Sequence, residues 1–193
     1  MTDKELIDYS GEHLMHELAM FWRLAGILPY LDECFITSAL IESFGIHLRN
    51  LTDFLYGDGR DDDVTARQFL DDPKAWTPKM SDALAKARKR VNKELSHLTE
   101  GRKSGNPPEK AWDTTTLLKE IEATAKDFAK NASTKKLHEK VREFLNLPTP
   151  EVRVWLADNV RHMNVAVQRV PGLSSSGGST ATVITSAVFR REP

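Results

Sequence analysis

The sequence predicts an all-α fold, an antiparallel helical bundle of four to six helices with a flexible C-terminal tail. Three observations predict it. Apolar residues recur at spacings of three and four from about residue 10 to about residue 160. No segment shows the pattern of a convincing buried strand. The connections between the main helices are short to moderate, so that consecutive helices pack antiparallel.

The elements follow in order. Over residues 10–28, Leu14, Leu18, Phe21, Trp22 and Ala25 share one face, with His13, Glu17 and Met20 on an adjacent stripe. Ser10 is the expected N-cap, and Pro29 marks the break. Residues 30–56 read as a long, well-buried helix with Leu40, Ile41, Phe44, Leu48, Leu51 and Leu55 on its apolar face. Glu42, Arg49 and Asp53, spaced by seven and four, lie on a different stripe and suggest a buried charge clamp. The Gly and Asp content of residues 57–63 makes a loop, and residues 64–70 a short helix. A connector carrying Trp76 leads to Pro78, expected as the first residue of a helix reaching about Leu98. Its apolar face is Met80, Leu84, Ala87, Val91, Leu95 and Leu98. A loop begins at Gly101, and residues 112–131 are helical again through Leu117, Ile121, Ala125 and Phe128. Two shorter helices are expected over 134–147 and from 150 to about 160. The bundle domain is therefore drawn as 1–170 and a Ser/Gly-rich tail as 171–193, with a strand over 183–189 the lesser alternative.

The chain of 193 residues is 40% hydrophobic and 28% charged, which allows one sizeable core. A formal net charge of −1 excludes a molecule that binds nucleic acid through bulk charge. The charge is nonetheless uneven. Residues 79–103 carry eight Lys/Arg against three Asp/Glu, while residues 57–72 carry six acids against two arginines. Such separation orients a charged partner or pairs two copies of the chain. The one cysteine, Cys34, permits no intramolecular disulfide and reads as a small buried hydrophobe. The start of the chain lacks a signal-peptide pattern, and no apolar run approaches the ~20 residues that span a bilayer. The expectation is a cytoplasmic protein without membrane contact. Phosphate-binding glycine loops, dinucleotide fingerprints, nucleophile elbows and zinc-ribbon cysteine pairs do not occur in the sequence.

Three constellations carry chemistry. In Arg90-Val-Asn-Lys-Glu-Leu-Ser-His97, a guanidinium and an imidazole seven residues apart point within about 20° of each other on an ideal α-helix. His97 has the chemistry to act as general base on a ribose 2′-hydroxyl, and Arg90 to hold a phosphate. The structural alternative makes Arg90–Glu94 an i,i+4 pair on a solvated face, with Lys86 on the same stripe. On the long second helix, His47, Arg49, Asn50 and Asp53 form either a register-fixing clamp or supporting groups of the same site. Glu94-x-x-His97 has the spacing of half a di-iron carboxylate site, with His13, His16 and His47 as further ligands, but no second Glu-x-x-His occurs.

A late core helix carrying an arginine, six residues, then a histidine resembles the HEPN superfamily. The wider pattern, His47-Leu-Arg-Asn-Leu-Thr-Asp-Phe with Arg90 to His97-Leu-Thr, also looks like a group of bacterial helical proteins, and the likeness covers about residues 10–130. The polar residue that usually follows the arginine is displaced here, because Val91 follows and Asn92 comes next. The resemblance implies a metal-independent endoribonuclease, often a toxin or defence protein, in which two chains lend Arg90 and His97 to one cleft. It also implies the alternative of a non-catalytic binding or dimerisation module. The ribonuclease expectation assigns no cofactor and no metal ligand. It takes Lys86, Lys93 and Arg102 as RNA contacts, His47, Arg49, Asn50, Asp53 and Glu94 as supporting groups, and a homodimer, RNA and an antitoxin or other protein as partners. A metal-binding helical bundle stands third.

The tail composition makes a first prediction. A Ser/Gly-rich segment buries too little apolar surface to offset its ordering entropy. A chain ending at Val170 should keep its melting temperature within a few degrees, a change on the order of 1 kcal/mol or less. A collapse of the melting temperature in calorimetry would show the last residues to be docked.

Overall fold

The computed structural model describes residues 1–32, 35–60, 62–95, 100 and 111–147, together with the backbone of 167–168 and 183–184. The chain divides into two units, Met1–Ala157 and Asp158–Pro193. The first is all-α. In the second, strand β1 (Val167–Gln168) pairs antiparallel with β2 (Val183–Ile184). The expected helix over 150–160 and the rest of the expected tail lie outside the described residues.

The first helix begins earlier than its apolar pattern suggested. Helix α1 (Asp3–Tyr9) starts at a capping box, in which the Thr2 hydroxyl accepts the Glu5 N–H and the Glu5 carboxylate accepts the Thr2 N–H. The helical path continues through a π-helical segment, Ser10–Leu14, into α2 (Met15–Ile27). Ser10 is therefore not an N-cap. Its hydroxyl donates to the Ile7 carbonyl and accepts the His138 N–H, each at 3.0 Å, so the buried serine joins two distant segments. Gly11 is required beside it, because a Cβ there would stand 2.6 Å from the His138 ring.

A single 3₁₀ turn containing Pro29 leads towards α3 (Phe35–Tyr56), the longest of the described helices. Two further 3₁₀ turns, Ala66–Phe69 and Pro73–Ala75, replace the expected short helix and connector. The buried Trp76 indole donates to the Leu55 carbonyl at 2.7 Å and ties this excursion to α3. Helix α4 (Asp82–Arg90) starts four residues later than Pro78, since the Ser81 hydroxyl caps it by accepting the Leu84 N–H. A second π-helical segment follows, Val91–Leu95. Helix α5 (Thr114–Asn131) is capped by Asp113, and α6 (Glu139–Asn146) by His138, whose Nδ1 accepts the Lys140 N–H.

Helices α2 and α3 pack antiparallel, with Phe21 stacked on Phe44 at 5.2 Å between ring centres. Both rings are fully buried. Helices α4 and α5 pack against α3, and α6 closes the unit over α5 and the first π segment. A second aromatic group, Phe54, Phe69, Trp76 and Phe128, meets edge to face around Phe128. The apolar faces expected for the helices are the buried ones, through Leu14, Leu18, Leu48, Leu51, Leu55, Leu84, Leu117, Ile121 and Ala125. Among the described residues no helix is long and apolar enough to cross a membrane.

The cap of α5 yields a prediction. The Thr116 backbone N–H, bonded to the Asp113 carboxylate at 3.0 Å, holds the Asp113 carboxyl below the usual carboxylate range. Asp113→Ala should cost about 1 kcal/mol at neutral pH. A depressed folded-state pKa means that this contribution is complete above the unfolded value, about 3.9, and is lost as pH falls through the folded one. The difference between the urea midpoints of the two proteins should hold from pH 7 to 5 and shrink below pH 4. A constant difference down to pH 2 would contradict the capping charge.

Candidate functional site

The predicted site residues fall into three groups. The first lies where α2 crosses α3. His47, buried near the middle of α3, places Nδ1 2.8 Å from a Glu17 carboxylate oxygen on α2. Since the carboxylate only accepts, Nδ1 donates. Asn50, one turn along, donates its amide to the same oxygen at 3.2 Å. His16 stands beside them, its ring 5.6 Å from that of His47 and nearly perpendicular to it. One ligating atom from each of His16, Glu17 and His47 lies within 4.8 Å of the other two. Burial is the largest influence on Glu17 and pushes its pKa up. The hydrogen bond and charge of His47, the Asn50 amide and His16 together outweigh it, so the carboxyl sits below its ordinary value. Glu17 is a carboxylate at neutral pH. A cavity of about 280 Å³ opens beside it, lined among others by Tyr9, His13, Glu17 and Asn50.

The second group is Arg49, Asp53 and Arg88. Arg49 approaches Asp53 only to 3.8 Å, and both side chains are more than 40% exposed. The closer partner of Asp53 is Arg88 on α4, with Nη2 2.5 Å from Oδ1. The contact is a charge pair of poor angle, since Asp53 Oδ1 and Arg88 Nε find no hydrogen-bond acceptor or donor in it. The expected buried clamp of Glu42, Arg49 and Asp53 is thus replaced by a surface pairing between helices. It borders a cavity of about 560 Å³ under the 57–64 loop, lined by residues that include Arg60, Asp58 and Asp63.

The third group surrounds Arg90. Its Nε reaches both Glu94 oxygens at 3.1 and 3.2 Å, and Nη2 donates to Glu94 at 3.1 Å. Nη1 donates to the Ala111 carbonyl at 3.1 Å. The guanidinium carbon lies 4.2 Å from the ring centre of Trp112, and Trp112 meets Phe44 edge to face. The Arg90 side chain is only 17% exposed. Lys86 and Lys93 are exposed. His97 and Arg102 lie outside the described residues. The π-helical segment begins directly after Arg90, so the α-helical step of about 100° per residue no longer holds from Val91 to Leu95.

Sequence reasoning paired Arg90 with Glu94 and grouped His47 with Asn50. It did not join Glu17 to His47, Arg88 to Asp53 or Trp112 to Arg90. Those partners are 30, 35 and 22 positions apart, and no local periodicity links them. No family model, curated protein or solved structure matches the chain.

The Arg90 contacts generate a stability prediction. Arg90→Ala leaves the half-buried Glu94 carboxylate and the Ala111 carbonyl without their donor and should cost on the order of 1–3 kcal/mol. Arg90→Lys should recover only part of it, because an ammonium cannot reproduce the planar fork. Wild-type denaturant midpoints in both variants would show that the contacts contribute nothing.

Proposed function

We propose that the chain is a non-catalytic helical module that joins two copies of itself, with Arg90 as a structural residue. The observation that carries this reading is the engagement of the Arg90 guanidinium by Glu94, Ala111 and Trp112. A phosphate would have to displace a bidentate carboxylate to reach it. The joining surface is the outward stripe of α3, where Phe35, Ala39, Glu42, Ile46 and Arg49 follow one another at spacings of three and four. Phe35 is 85% exposed and Ile46 55%. Exposed apolar side chains rimmed by charge are the usual composition of a contact surface. Two such stripes crossing antiparallel about Ile46 bring Glu42 of each copy to Arg49 of the other, a charge match that favours a second copy as the occupant. The single cysteine supports a cytoplasmic setting.

The second reading is the metal-independent endoribonuclease of HEPN type. The exposure of Lys86 on the basic segment favours it, since its ammonium can meet RNA phosphates. In that reading Arg90 exchanges Glu94 for phosphate, His97 is the general base, Arg102 adds a phosphate contact, and an antitoxin is the natural protein partner.

Two measurements on the full chain separate the readings. Light scattering at tens of micromolar should give a dimer, and Ile46→Asp a monomer that keeps the wild-type circular dichroism spectrum. Varied RNAs incubated in EDTA should remain intact. A monomeric wild type would remove the α3 contact, and EDTA-resistant cleavage that disappears in His97→Ala would put the ribonuclease first.

A further inference from the structure

The His16, Glu17 and His47 group is not explained by helix pairing alone. Tying α2 to α3 needs only the Glu17–His47 hydrogen bond. The crossing adds a second imidazole, and one ligating atom of each of the three side chains lies within 4.8 Å of the other two. We propose that these three residues bind one divalent first-row cation of the zinc class.

Two imidazoles and one carboxylate are a donor set for such ions, with two nitrogens and one hard oxygen. The carboxylate supplies negative charge to offset the ion, and both imidazoles ligate it in their neutral form. Bonds of about 2.0–2.2 Å require ligating atoms roughly 3.3 Å apart in tetrahedral geometry. Binding therefore draws the widest pair in by up to about 1.5 Å from the 4.8 Å limit, while His47 Nδ1 and Glu17, 2.8 Å apart, give up their hydrogen bond and its proton to the ion. His16 is exposed and can swing inward, while His47 is held by its buried place on α3. The Asn50 amide, bonded to one Glu17 oxygen, orients the carboxylate as an outer-shell partner does in metal sites. Three protein ligands leave at least one position open. The cavity beside Glu17 supplies room for a water or a small anionic ligand there, with Tyr9 and His13 on its wall.

The site is independent of the dimer contact, because the stripe through Phe35 and Ile46 uses other residues of α3. It differs from the ligand set that spacing alone suggested, in which Glu94 and His97 were central. Only His16 and His47 are shared, and Glu17 takes the carboxylate role.

The test uses the full-length, untagged protein stripped with EDTA and titrated with Zn(II) in a calorimeter. One equivalent should bind, and His16→Ala and Glu17→Gln should each weaken it at least tenfold. His13→Ala should leave it nearly unchanged. Because His16 is exposed, His16→Ala should melt like the wild type without metal, yet lose the rise in melting temperature that Zn(II) produces in the wild type. Co(II) in place of Zn(II) should give the visible absorption of a four- or five-coordinate ion, absent in His16→Ala. Failure to bind one equivalent overturns the site. So does equal binding by the wild type, His16→Ala and Glu17→Gln, which would place the ion on other histidines.

Discussion

The antiparallel pairing of α2 with α3 governs the rest of the first unit. Its centre is the stacked pair Phe21 and Phe44, both fully buried. Two aromatic rings of this size remove several hundred Å² of apolar surface from water and set the register of the two helices. With Phe21 opposite Phe44, Glu17 falls opposite His47, and Tyr9, His13 and Leu14 share a cavity wall with Asn50, Leu51 and Phe54. The polar group at the crossing is thus a consequence of apolar register. Shifting either helix by one residue would rotate its polar stripe away by about 100° and separate the three ligating side chains.

The same pair reaches outward to the basic segment. Trp112 meets Phe44 edge to face and offers its own face to Arg90, whose guanidinium also holds Glu94. A positive charge near the surface is in this way linked to the aromatic centre by one intervening ring. Its neighbour Arg88 turns to α3 and Asp53 instead. Two arginines of one helix, two residues apart, thereby serve two different contacts, and α4 is held on both sides.

Each π-helical segment lies beside a close approach at a glycine. In Ser10–Leu14 the bare backbone of Gly11 admits the His138 ring, and the Ser10 hydroxyl takes the His138 N–H. At Val91–Leu95 the approaching glycine lies on the other helix, since Gly45 of α3 faces the Val91 and Leu95 side chains. An i→i+5 step widens the turn and changes the phase of the residues beyond it. A continuous α-helix through either place would carry the apolar stripe off its partner.

Much of the architecture is written in local pattern. Period-three-and-four apolar spacing is a property of each helix by itself, so the buried faces of α2, α3, α4 and α5 follow from the sequence, as does the all-α class. The Arg90–Glu94 pair was legible for the same reason, since four residues are one helical turn. Helix ends were less legible. Thr2 caps through a reciprocal pair of hydrogen bonds and Ser81 through one, local contacts that compete with the signals of Ser10 and Pro78. Only the tertiary structure decided which charges meet across helices. The pairings of Glu17 with His47, Asp53 with Arg88 and Arg90 with Trp112 depend on the register in which apolar faces interlock, and that register is a collective property of the packed core.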